Sequence, residues 1–323
     1  MARVQTEQSR EKQPRLSTQS PTVWDLGGLS AKELVKRVWT QMDSEHDDTL
    51  GRAAELAFFF FLAVFPALVF VLTLVGMISM TKLDLRGALF SYAAQALPPS
   101  AWELLQKTID ETVGSATGWK LVIGLVGALW SASSGTSTLM TVLNFTYNVK
   151  ERRPWWKARL IVAVLLTIAL AGLLLAALAI ILFGGWAAAM ASGHGLGNTA
   201  IIAWKIVQVP IALCFVVLAF AVLYYWAPDV EQKRWYWITP GSIIGVLLWI
   251  AASAAFRAYL HFFNNYSATY GSLGAVIILL LWFYITSLAF LVGAEINATI
   301  EHAAAEHGRA DAKLKGEREA PAA

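Results

Sequence analysis

The sequence predicts an all-α fold: a polytopic membrane protein with six transmembrane helices and short amphipathic helices at its surface. Three observations carry that expectation. The first is composition. Of 323 residues, 57% are hydrophobic, and exchanging the 9 Tyr for the 23 Gly raises this to roughly 61%, against about 45–50% in soluble domains. Charged residues make up 15%, where about 25% is usual. A water-soluble fold of this size has too little interior for so much apolar surface. A soluble enzyme, a disordered chain and a disulfide scaffold are all poor fits, and the single Cys214 cannot form an intramolecular disulfide. The second observation is a series of charge-poor apolar runs, each near the ~20 residues that cross a ~30 Å hydrocarbon core. The third is the placement of Lys and Arg between those runs.

The runs define spans one to six at about 53–80, 121–149, 160–191, 200–226, 238–263 and 274–298. Lys205 interrupts the fourth, Arg257 the fifth and Glu295 the sixth. Tight turns join spans three and four (SGHGLGNT) and spans five and six (NNYSATYGS). Nineteen of the 25 Lys and Arg lie before span one, in the loop 150–159, in the loop 227–237 and after Thr299. Five lie on the other side, and Arg257 is inside a span. By the positive-inside rule both termini are expected in the cytoplasm. The first fifty residues carry no apolar core behind a basic start, so no cleavable signal peptide is expected.

Outside the spans, residues 1–29 read as a disordered polar leader, 30–300 as the membrane domain and 301–323 as a helical, then disordered, cytoplasmic tail. Ser30 and Glu33 have capping-box spacing. After them Leu34, Val35, Val38, Trp39 and Met42 recur at helical spacing, with Lys32, Lys36 and Arg37 nearby. This predicts an amphipathic helix that lies on the anionic cytoplasmic leaflet, packs on the bundle, or does both. The segment 82–120 predicts two short amphipathic helices on the outer surface, broken at Pro98-Pro99.

Span two is the most informative. Gly124, Ala128, Ala132 and Thr136 form one row of small residues, and Gly127, Ser131 and Gly135 another, as close helix packing requires. Ser134, Ser137, Thr141, Asn144 and Asn148 form a polar stripe, which should face protein or a wet cavity rather than lipid. Interhelical hydrogen bonding and a substrate path explain it about equally well. Glu55 and Glu295 lie near the cytoplasmic ends of their spans. They are candidates for coupling or gating, or else pair with Arg52, Arg152 or Arg153.

Arg257 lies about 9 Å, and Lys205 about 8 Å, below the outer surface at 1.5 Å per residue. Together they are candidate contacts for an anionic group such as a lipid phosphate. The alternative is that Arg257 pairs with Glu103, Asp110 or Glu111. Pro66 and Pro210 should kink spans one and four. Trp155, Trp156, Trp235, Tyr236 and Trp237 fit interfacial anchoring. The motif EHAAAEH (Glu301 to His307) reads as a solvated face of the tail. No metal site or cofactor is expected, and the chain carries no GxSxG, HExxH, CxxC or P-loop.

Several segments resemble the YihY/virulence factor BrkB family, formerly labelled ribonuclease BN. They are AAELAFFFFLAVFPALVF (53–70), LWSASSGTSTLMTVLNFTYNVKERRPWW (129–156), YYWAPDV (224–230), WITPGSIIGVLLWI (237–250), NNYSATYGSLGAVIILLLWFY (264–284) and LVGAEINA (291–298). Positions resembling its recurrent motifs are Pro66, Asn144, Tyr147, Arg153, Pro228, Pro240, Gly241, Tyr270, Gly271, Gly293, Glu295 and Asn297. The resemblance implies a six-span protein of the bacterial inner membrane, and links to serum resistance and to export of lipid or lipopolysaccharide precursors. The ribonuclease label is regarded as a misassignment, and no clustered His and Asp stand in this sequence to hold a catalytic metal.

The expected function is therefore non-enzymatic: transport or accommodation of an anionic lipid or other amphiphile in envelope biogenesis. Membrane lipids are the expected partners, with a homo-oligomer or envelope-assembly proteins also considered, and no nucleic acid. A non-catalytic membrane scaffold is the alternative, and a membrane-bound ribonuclease the least favoured.

Overall fold

The computed structural model describes residues 23–42, 48–78, 119–193, 198–230, 238–262, 272–309 and 312–317. Among them there are helices and turns and no strand. A 12-residue helix α1 (Ala31–Met42) precedes six long ones: α2 (Thr49–Ile78), α3 (Trp119–Thr146), α4 (Val164–Gly193), α5 (Asn198–Trp226), α6 (Pro240–Phe262) and α7 (Ser272–Glu306). A π-helical segment, Lys157–Ala163, leads into α4. α5 runs through Pro210 without a break. Helices α2 to α7 thus follow the six apolar runs. The outer segment 82–118, the aromatic cluster 235–237 and the turn carrying Tyr270 and Gly271 lie outside the described residues.

Among the described residues, four stretches are long and apolar enough to cross a membrane: Lys157–Ala177, Ile202–Trp226, Pro240–Leu260 and Val276–Glu306. At most a third of each is buried within the protein. Leu165 (60% exposed), Ile206 (66%) and Leu247 (59%) point outward. Water would penalise such continuous apolar surface, whereas hydrocarbon solvates it. The chain is a membrane protein.

The long helices close a ring in which each packs on the next and α7 returns to α2. The α3–α4 and α5–α6 seams are thinner than the other four. With no hydrophobic drive between helices in lipid, close approach holds them together. Gly135 is one such point, where an added Cβ would come within 3.3 Å of Ala63. Gly127, in the same row, is exposed and touches nothing. Among the described residues the second row therefore packs at Gly135, towards the Thr146 end, and not at Gly127. The principal core sits at that end too, where Leu56, Leu143, Leu166, Leu223 and Leu291 meet from five elements.

The α6–α7 crossing explains several motif positions at once. Thr239 caps α6: its hydroxyl accepts the Ser242 amide at 3.1 Å, and Ser242 Oγ accepts the Thr239 amide at 3.0 Å. Pro240 occupies the first helical position, where its missing N–H costs nothing. Asn297 of α7 reaches across, accepting the Gly241 amide and donating to Thr239 Oγ1, both at 3.0 Å. Any Cβ on Gly241 would overlap the Gly293 carbonyl oxygen, and one on Gly293 would meet Tyr224 Oη at 2.5 Å. Tyr224 is buried there and donates to the Phe290 carbonyl at 2.7 Å.

Both terminal regions fold against the C-terminal end of α7, which carries Glu301 and Glu306. Within the stretch expected as a disordered leader, Val23–Gly28 forms a tight turn with Leu26, Gly27 and Gly28 at positive φ. A Cβ on Gly27 would overlap the Ile300 carbonyl oxygen. Residues 301–306 are not a solvated face, because His302, Ala303 and Ala304 are buried by the N-terminal elements. Glu306 takes a bond from Arg37 at 2.7 Å, and Glu301 pairs with the buried Lys313 at 2.8 Å. Ala312 is buried beside it, so this part of the tail is packed.

Candidate functional site

The polar stripe of α3 divides into three parts with different work. Ser134 and Ser137 hold a cation that the sequence places in a loop. Arg159, in the π-helical segment, turns its guanidinium inward and donates to Ser137 Oγ at 2.6 Å and Ser134 Oγ at 2.7 Å. The same group donates to the Ser133 and Trp130 carbonyls at 3.1 and 3.5 Å and lies 4.7 Å above the Trp130 ring. Ser137 is about 13 Å along the helix from Thr146, at 1.5 Å per residue. Every one of these partners is neutral. Among the described residues Arg159 makes no ion pair, so its hydrogen bonds are met while its charge is not. The two serine hydroxyls accept from Arg159, and their own protons remain available to donate. π-Helical turns are rare and recur at functional sites. This one also lies on the thin α3–α4 seam, where Thr136 and Thr167 hydroxyls meet at 2.8 Å.

Thr141 bonds back to the Ser137 carbonyl at 3.1 Å and faces outward. Asn144 belongs to a different assembly at the end of the helix. It donates to Glu151 Oε2 at 2.9 Å and accepts the Asp229 amide at 2.6 Å. Arg153 grips Glu151 with two bonds at 2.6 and 2.7 Å, lies 3.7 Å from Asp229 and donates to the Ala227 carbonyl at 2.8 Å. Asp229 also accepts the Arg152 amide at 2.9 Å. Burial works to raise the Glu151 carboxyl, but the bonds from Arg153 and Asn144 and the guanidinium charge hold it below its usual range. This knot of one guanidinium and two carboxylates ties the end of α3, the following loop and the end of α5. Pro228 and Tyr147 are buried in the same region.

Asn148, read as a cavity-lining residue, instead ends the helix. It has φ 55°, its amide donates to the Phe145 carbonyl, and the Val149 amide donates to the Asn144 carbonyl, both at 2.8 Å. That pair of bonds around a left-handed residue is a Schellman stop, a role Asn fills because it tolerates positive φ. Gly308 ends α7 in the same way.

Arg52 pairs with one candidate carboxylate and shares a cleft with the other. Glu55 pairs with Arg52 at 3.2 Å, as its simpler reading expects. Arg52 also stacks 4.2 Å from the Phe145 ring and, with Thr49, Thr146 and the buried Glu295, lines a cleft of about 270 Å³ including its open mouth. Arg257 stands exposed on α6. The side chains of Lys205 in α5 and Pro66 in α2 lie outside the described residues. No group of three His, Cys, Asp or Glu that could hold a metal occurs among the described residues.

Arg159 had a sequence signal. It follows Trp155-Trp156 by one turn at the mouth of span three, opposite the Ser-rich helix that precedes it. Counting it towards the cytoplasmic charge hid it.

The virulence factor BrkB family model matches residues 40–317. A Bacillus subtilis (strain 168) protein named ribonuclease-like, YfkH, is 34% identical over 251 residues, 77% of this chain and 89% of that protein. A UPF0761 membrane protein of Idiomarina loihiensis is 29% identical over 68% of this chain and 73% of its own length. Another, from Aeromonas salmonicida, is 25% identical over 81% and 87%. No solved structure matches.

Proposed function

The chain belongs to the virulence factor BrkB family, and we propose that it accommodates or moves an anionic lipid or related amphiphile across the inner membrane. In this reading α2 to α7 all span, and both termini and the loop 147–156 are cytoplasmic. The observation that carries it is the half-buried Arg159 guanidinium, held against α3 by neutral hydroxyls and carbonyls alone among the described residues. An intramembrane cation is costly without an anion, and a headgroup phosphate supplies one. The Ser134 and Ser137 hydroxyls, whose oxygens accept from Arg159, add two O–H donors beside it. Entry is through the thin α3–α4 seam, past the half-exposed Trp130 and Leu160. Lys205 and Arg257 are the proposed second contact, near the outer face. The protein acts without catalysis in this reading, and neither metal nor nucleic acid takes part.

The test is native mass spectrometry of purified protein titrated with phosphatidylglycerol or phosphatidylcholine. Charged hydrogen bonds of about 1.5–3 kcal/mol correspond to roughly 10- to 100-fold in affinity. Arg159→Gln should lose that much phosphatidylglycerol binding, and Arg159→Lys should keep part of it. Equal retention by wild type and Arg159→Gln, both monodisperse, removes the proposal. Under the scaffold alternative, crosslinking captures a protein partner while lipid binding ignores Arg159. A ribonuclease would cleave RNA in a metal-dependent way at high purity.

A further inference from the structure

Helix α1 is amphipathic twice over, and only one of its apolar stripes meets protein. Ser30 starts it: its amide and hydroxyl donate to Glu33 Oε2 at 2.9 and 2.8 Å, which holds the Glu33 carboxyl below its usual range. Leu34 and Val38 are buried against Ile296, Ile300 and Ala303 of α7. That contact fixes the rotation of the helix. It leaves Val35 (68% exposed) and Trp39 (71%) on the adjoining face, with Lys32 and Lys36, also exposed, beyond them. On the far side Arg37 is taken by Glu306.

We propose that the Val35–Trp39 face, with Lys32 and Lys36, seats on the anionic lipid surface of the cytoplasmic leaflet. The order of groups around the helix is the argument. An indole prefers the boundary between headgroup and acyl chain, and ammoniums one strip further round reach the phosphates. The face is also continuous with membrane, since α2 begins seven residues after α1 ends, with Leu50 62% exposed in its first turn. Trp24, 55% exposed in the preceding turn, adds a second indole at the same end. A second copy of the chain is a poor occupant, because a symmetric contact would bring the lysines of two protomers together. This docking is independent of Arg159 and holds whether or not the seam takes a lipid.

The test uses the full chain in vesicles, with Cys214→Ser removing the native thiol. A nitroxide is placed at Trp39→Cys, and separately at Val35→Cys in case the first variant misfolds. Thr40→Cys, about 100° round the helix from Trp39 and on the other side of Lys36, is the control. In vesicles one-third phosphatidylglycerol, labels at 39 and 35 should relax with oxygen rather than with a soluble nickel chelate, and the label at 40 the reverse. Replacing both Lys32 and Lys36 by Gln, or using phosphatidylcholine alone, should raise nickel access at 39 several-fold. Labels at 39 and 40 equally open to nickel in both vesicle types overturn the proposal. So does a label at 39 shielded from both reagents, which would mean that protein covers the face.

Discussion

Two arginines a few residues apart in the chain end in opposite electrostatic situations. Arg153 is grasped bidentately by Glu151, neighbours Asp229 and donates to a backbone carbonyl, so its charge is matched several times over. Arg159 has at least as many hydrogen bonds and, among the described residues, no opposite charge. The first arrangement is what a protein builds to stay closed, since breaking it exposes ions that already have each other. The second leaves a charge that no described residue balances, which suits a site that an anion visits. Family-motif positions fall in the first kind of place: Asn144 and Arg153 in the knot, and Gly241, Gly293 and Asn297 in the α6–α7 crossing.

Removing charge from each region should separate the two. Arg153→Ala takes from the knot the cation that faces the buried Asp229. It should cost about 3–5 kcal/mol, the usual penalty for an uncompensated buried ion, read as a lower unfolding midpoint whatever lipid is present. Arg159→Gln should lower the midpoint in neutral detergent by less than the knot variant, because loss of its hydrogen bonds is partly offset by removal of an unmatched charge. It should abolish the upward shift that wild type shows with phosphatidylglycerol, because only a ligand bound to the folded state stabilises it. An equal loss of midpoint in both variants would make Arg159 a structural cation and collapse the distinction. Ser137→Ala removes one neutral acceptor and should cost about 1 kcal/mol or less, with a partial loss of lipid binding.

Acid offers the mildest probe. The Glu151 carboxyl is held below its usual range in the folded protein, so the unfolded chain takes up a proton at higher pH than the folded one. The contribution of Glu151 is therefore complete above the ordinary carboxylate range, near pH 4.3, and fades as pH falls through and below it. Glu151→Gln should flatten that part of the stability–pH curve, measured by chemical unfolding in detergent. Arg159→Gln should not.

Helix positions were legible because apolar length alone sets them. The six long helices begin and end within a few residues of the runs, except that α7 continues to Glu306. Capping at Ser30 and Glu33 was legible for a similar reason, since both partners lie in one turn. The polar stripe of α3 was visible as a pattern, but its division was not. Whether Asn144 lines a cavity or bridges a loop depends on Glu151 and Asp229, seven and 85 residues away. Asn148 depended on a backbone angle that no periodicity reports.

The sequence by itself determined the solvent. No folding of so apolar and charge-poor a chain could bury its surface, and the asymmetry of Lys and Arg already favours one orientation. Tertiary structure decided which charges are matched and which face of each amphipathic helix is covered. Those outcomes turn on contacts between residues far apart in the chain, such as α1 on α7 and Arg159 on α3. Local spacing fixes only which side chains share a face, and packing then chooses the face that meets protein.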